Sequence, residues 1–265
     1  MKNLFTILFI SLFIFSCDKD NPISSDDYFT DFVYPINIGN EWIYEGYFNR
    51  EMYDIDLSEY NLSINRIDSI IIDSMYSEID NIFRFKTIVI EDGQNIGDPG
   101  FQYISNSSEG LLHHGYENPN STILPLSVEN NIKYKINGQI LSFNELLNLI
   151  HYGSRDIIWD GPLLSIKYPL ISNSQWTYRT GGNPMRMDRL ITEMDDNQFV
   201  IKTLYDINDD LSWDDNINVT HTYSKNGLIS YNVVIDSMEI FSEFGENIGF
   251  GSLITNMILI NHTIE

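Results

Sequence analysis

Residues 34–44, YPINIGNEWIY, return at 168–178 as YPLISNSQWTY, so a fold for this chain has to place one local structure twice. In both copies a proline is followed seven residues later by tryptophan and two beyond that by tyrosine: Pro35, Trp42 and Tyr44, then Pro169, Trp176 and Tyr178. A looser third version runs from Leu124 to Tyr134, with Ile132 in the tryptophan position. Proline fixes φ at the mouth of a turn, and the Gly/Asn/Ser chemistry that follows reverses the chain. Trp-x-Tyr then opens a strand with both rings on one face, because side chains alternate with period two.

The correspondence continues downstream. Phe83-Arg84-Phe85-Lys86-Thr87 matches Phe199-Val200-Ile201-Lys202-Thr203, and Ser108-Glu109-Gly110-Leu111-Leu112 matches Lys225-Asn226-Gly227-Leu228-Ile229. The spacing from Phe to Gly is 27 residues in one copy and 28 in the other, whereas Trp to Phe is 41 and 23. The first copy therefore carries extra residues around 45–62. Three matches in the same order indicate an internal duplication. The expected layout is a single β domain over 32–265, with copy one at about 34–117, a connecting segment at 118–167 and copy two at about 168–264.

Composition points to sheet as well. The chain holds no alanine, the best helix former, and is rich in isoleucine and aromatic residues. Ser69–Met75, Ile82–Glu91, Val219–Tyr223, Gly227–Ile240 and Leu253–Ile264 read as strands. Asn137-Gly138 reads as a hairpin turn. One helix is expected near 142–152, where Ser142 and Glu145 form a capping box ahead of Leu146, Leu147 and Ile150. The expected fold class is mainly β: an antiparallel, internally duplicated curved sheet or half-barrel with that one short helix.

The N-terminus carries a separate message. Leu4–Phe15 is apolar apart from Thr6 and Ser11, too short to span a bilayer but of signal-peptide length. It ends in Ile14-Phe15-Ser16-Cys17, and Cys17 is the only cysteine in the chain. This resembles the lipobox of bacterial lipoproteins, with Phe15 where a smaller residue is usual. The resemblance implies removal of residues 1–16, lipid on Cys17, and a bacterial envelope location. A buried N-terminal helix and a plain secretory signal are the competing readings, and both leave the lone thiol without a role. Residues 17–31 are polar and acidic and read as a tether. Several acyl chains give stable attachment where one is marginal. A lipobox followed by Tyr34–Tyr44 also resembles a loose group of uncharacterised lipoproteins from Bacteroidota-like bacteria, which carry Pro-Leu-x-x-Gly-x-x-Trp-x-Tyr near the mature N-terminus, often twice; here Tyr168–Tyr178 has Asn173 in place of the glycine. That group implies a β-rich envelope lipoprotein and no established reaction. Asp18 directly after the cysteine resembles an inner-membrane retention signal of enteric bacteria. The stretch Asp18-Lys19-Asp20 resembles surface-export signals of Bacteroidota, so the outer membrane is the expected location, with exposure at the cell surface open.

Chemistry is sparse. The formal net charge is −23, and −24 once residues 1–16 take Lys2 away, which argues against nucleic acid as a partner. Nucleophile elbows, zinc-protease helices and phosphate-binding glycine loops are missing from the sequence. His113 and His114 are adjacent, and on a strand they face opposite ways. Asp206, Asn208, Asp210 and Asp214 have the alternate spacing of a calcium loop. Leu211 stands where such a loop needs glycine, and Ile217 where it needs glutamate, so a solvated acidic hairpin tip is the competing reading. No other cofactor is expected. Two functions remain in view. One is a non-enzymatic binding or structural module that holds an envelope protein or glycan; the other is a carrier of an apolar ligand in a half-barrel cavity.

Overall fold

A computed structural model describes residues 29, 31–78, 81–91, 94–117, 132–142, 145–146, 161–181 and 186–265. The signal peptide, Cys17, most of the tether and most of the third motif copy lie outside the described residues. Fourteen strands form one antiparallel sheet. Copy one supplies β1 (Glu41–Met52), β2 (Leu62–Ser77), β3 (Ile82–Glu91), β4 (Gln94–Asn106) and β5 (Gly110–Glu117). The connecting segment supplies β6 (Ile132–Ile136), β7 (Gln139–Ser142) and β8 (Leu163–Lys167). Copy two supplies β9 (Gln175–Thr180), β10 (Arg186–Met194), β11 (Phe199–Asp206), β12 (Ile217–Ser224), β13 (Gly227–Ser242) and β14 (Asn247–Thr263).

Twelve strands run in the order β8-β5-β4-β3-β2-β1-β14-β13-β12-β11-β10-β9. The two edges meet: Trp176 Nε1 on β9 donates to Leu164 O on β8 (2.8 Å), and the Arg189 guanidinium on β10 donates to Ser165 O. The expected antiparallel curved sheet is therefore present, and it curves far enough to make a nearly closed barrel. A ladder joins β1 to β14 along their length, whereas side chains bridge β8 and β9. We call this second junction the seam.

The two copies follow one plan down to single backbone hydrogen bonds. Asn40 N donates to Asn37 O, and Ser174 N to Ile171 O, closing the same turn after each proline. Gly39 N donates to Ile72 O, and Asn173 N to Ile191 O. Gly39 has φ +98° and Asn173 φ +59°, so asparagine replaces glycine where the backbone is left-handed, a conformation it tolerates better than most residues. The β2–β3 ladder shifts register between Ile72 and Ser74, and the β10–β11 ladder between Ile191 and Glu193. Glu109 N bonds Ser107 Oγ ahead of Gly110, as Asn226 N bonds Ser224 Oγ ahead of Gly227. The extra residues of copy one fall in the outer half of β1, a 3-10 turn at Ile55–Tyr60, and the start of β2. One difference between the copies is that the peptide bond before Pro169 is cis.

Trp42, Tyr44, Trp176 and Tyr178 are all buried. The motif is a folding element, and its rings line the barrel interior. Two apolar layers fill that interior. Trp42, Phe85, Trp176, Ile191 and Phe199 build one layer, closed by Phe29, Phe32 and Tyr34 from the segment before β1. Phe48, Tyr178, Tyr205, Val233 and Leu253 build the other, closed by Tyr134, Ile136 and Leu141 of the β6–β7 hairpin and by Leu146. That hairpin turns on Asn137 and Gly138, both with positive φ, and its β6 edge pairs with β13. The capping box forms as expected: Ser142 N and Oγ both donate to Glu145 Oε2 at 2.7 Å. Glu145 and Leu146 are helical, and the rest of the expected helix lies outside the described residues.

Candidate functional site

On an inner strand face every second residue points into the barrel. On β2 that face reads Leu62, Ile64, Arg66, Asp68, Ile70, Ile72, so a charged pair interrupts an apolar row. Arg66 Nε lies 3.0 Å and Nη2 2.8 Å from Asp68 Oδ2. Gly46, the cross-strand partner of Arg66, makes room for the pair. A Cβ at position 46 would stand 3.1 Å from Arg66 Cγ and 3.3 Å from Nε.

The polar interruption continues round the barrel between the two apolar layers. Thr87 projects from β3, Gln102 from β4, His113 from β5, Ser165 from β8, Arg189 from β10, His221 from β12 and Thr255 from β14. Together with Trp42, Tyr44, Phe85, Tyr223 and Tyr231 these groups line a cavity of about 140 Å³. Trp42 and Phe85 lie nearly parallel, 8° apart with centroids at 6.1 Å, and Tyr34 tilts against both. His221 packs on Tyr231 at 4.7 Å and stacks on Tyr223 at 6.2 Å.

Burial governs the electrostatics. It lifts the Asp68 carboxyl to about 6, against the pull of the Arg66 guanidinium. It also drops His113 to about 3, aided by the positive charges of Arg189 and His114, so this ring is neutral near pH 7. The Arg189 guanidinium sits over the Tyr178 ring at 4.0 Å. Both Arg66 contacts fall on one Asp68 oxygen. Among the described residues no hydrogen bond reaches Asp68 Oδ1 or Thr87 Oγ1, and both residues are buried on the cavity wall.

The four calcium candidates do not line this cavity: Asp206 ends β11, and Asn208, Asp210 and Asp214 lie on the β11–β12 connection. Asp206 accepts from Asp210 N and Leu211 N, both at 3.2 Å, and Asp214 from Ile207 N at 2.8 Å. Asp210 accepts from Ser212 N and Oγ and, at 3.1 Å, from Asn208 Nδ2. These carboxylates staple a turn in which Asp209 and Leu211 have positive φ. Among the described residues no group of three His, Cys, Asp or Glu side chains is gathered to hold a metal. His113 and His114 separate as expected: His113 faces the cavity, and His114 Nε2 meets Ser105 Oγ at 2.8 Å. Cys17 lies outside the described residues. Among the described residues no helix is long and apolar enough to cross a membrane.

The sequence reading missed the charged belt. Its signal is present as Arg66-x-Asp68 within LSINRIDSIII, where period-two alternation puts both charges on the apolar face. Comparison of the chain with protein-family models, with curated proteins and with solved structures gave no match.

Proposed function

We propose that this chain is a non-enzymatic, lipid-anchored envelope protein that binds a small molecule inside its barrel. The observation that carries the reading is the cavity of about 140 Å³ between the two apolar layers, walled by rings and crossed by a buried ion pair. Convergent polar groups in a largely apolar concavity are the usual signature of a ligand site. The volume is too small for a lipid chain with its headgroup, so the ligand is smaller and more polar than the apolar cargo expected of a half-barrel. Anchoring through Cys17 and placement at the outer membrane belong to the same proposal and rest on the lipobox resemblance.

Native mass spectrometry of the protein purified from its own membrane tests it. A bound small molecule is expected, and it should disappear in Thr255→Phe, which fills the lumen. Retention of the same mass by that variant places the ligand elsewhere. A surface that holds a partner has one observation in its favour. Tyr53 and Phe250, backbone neighbours through Tyr53 N to Phe250 O, are both about half exposed at one rim.

A further inference from the structure

We infer that the lumen selects a small planar ring that carries an O–H or N–H donor and no positive charge. This deepens the proposed function and rests on it. Three features of the cavity lead to it.

Size comes first. The volume of about 140 Å³ is close to the roughly 150 Å³ of an engineered apolar cavity that holds benzene. One ring with a short substituent fills it. Shape agrees, because the near-parallel Trp42 and Phe85 rings and the tilted Tyr34 offer flat faces to a flat guest.

Polarity comes second. Asp68 Oδ1 and Thr87 Oγ1 belong to side chains that are 0% and 2% exposed, and no described group donates to either. They sit on adjacent strands, since Thr87 pairs with Ile70, the next inward residue after Asp68. A buried acceptor left without a donor is costly, so a guest that donates there gains what a purely apolar guest forgoes. Asp68 is the stronger of the two acceptors because hydrogen bonds to a charged group are the stronger kind.

Charge comes third. Two guanidiniums, Arg66 and Arg189, and one carboxylate, Asp68, line the wall. Arg189 acts on two wall groups at once, since its charge weighs on both His113 and Tyr223. A cationic guest would meet that field in a poorly screened interior, and a neutral or anionic guest would not.

Three probes of nearly equal size separate the terms: phenol, toluene and benzylamine, titrated into the full-length protein by calorimetry at pH 7.5. Phenol should bind about ten- to a hundredfold more tightly than toluene, the range for a hydrogen bond to a charged group. Benzylamine should bind more weakly than toluene. Thr87→Val keeps volume and should narrow the phenol preference. The double variant Arg66→Met/Asp68→Leu should abolish it while the barrel still folds, since well-packed apolar residues replace a buried ion pair without loss of stability in many proteins. Equal affinities for phenol and toluene in the wild type, or tighter binding of benzylamine, overturn the inference but leave the lumen as a ligand site. Failure of all three probes to bind removes the ligand site itself and the inference with it.

Discussion

Asp68 and His113 face the same cavity, and burial shifts their acidities in opposite directions. The raised Asp68 pKa means the folded state holds a proton that the unfolded state has released between about pH 4 and 6, so its contribution to stability falls as pH rises through that window. His113 is the reverse: its contribution is complete above pH 6.5, the ordinary histidine value, and falls as pH drops from there towards about 3. Each slope is about 1.4 kcal/mol per pH unit, and between pH 4 and 6 the two offset each other. Asp68→Asn should therefore expose the histidine slope, with denaturant midpoints dropping more steeply below pH 6 than in the wild type. Parallel pH profiles for the two proteins would refute this. Trp42 and Trp176 give a second test at this scale. Each is buried and donates its indole N–H to a backbone carbonyl, Asn226 O and Leu164 O respectively. Truncation to alanine should cost about 3–5 kcal/mol in either copy, measured by chemical denaturation. A change below about 0.5 kcal/mol at either site is the signature of a surface position and would contradict the burial.

Strands separate into those with two ladders and those with one. β1 pairs with β14 and β2, whereas among the described residues β9 pairs only with β10, and β8 only with β5. Amides of 163–167 and 175–180 should exchange with solvent faster than those of 41–52, because local opening at the seam breaks one ladder rather than two. Trp176→Phe leaves a smaller aromatic ring and removes the donor to Leu164 O, and it should quicken exchange at β8 further. Uniform protection across β1, β8 and β9 would show a seam as firm as the ladder. Much at this scale was legible in the sequence. Ile82–Glu91 is β3 as written, Asn137-Gly138 makes its turn, and Ser142 and Glu145 cap one another, because each depends on neighbours a few residues away. The charged belt was harder to see, because Arg66 and Asp68 look like surface residues until the phase of the strand is known. Closure into a barrel was not legible at all. It depends on β1 meeting β14 and on the β8 and β9 edges meeting at the seam, contacts that no local pattern encodes. Asn173 shows the intermediate case: it looks like a departure from the glycine of the first copy, yet its backbone keeps the left-handed turn.

As a whole, the molecule is a barrel expected to sit on a tether behind Cys17. Cys17→Ser should abolish fatty-acid labelling and leave 32–265 folded; equal label in both proteins would dismiss the anchor. The pairing of β1 with β14 has a further consequence. Residue 265 completes the same junction: its N–H donates to Asn40 Oδ1, and its carbonyl accepts from Asn37 Nδ2, both at 2.8 Å. During synthesis β1 therefore waits with one bare edge until more than two hundred later residues have emerged. Bare edges recruit other chains, so a nascent copy stays vulnerable until β14 has emerged. The seam offers a way round this. A circular permutant that starts at β9, runs through 265, crosses a linker to residue 32 and stops after β8 makes β14 and β1 in immediate succession. The long wait then falls on the edges that never form a ladder, and this rearranged gene should yield the same barrel with less aggregate on refolding.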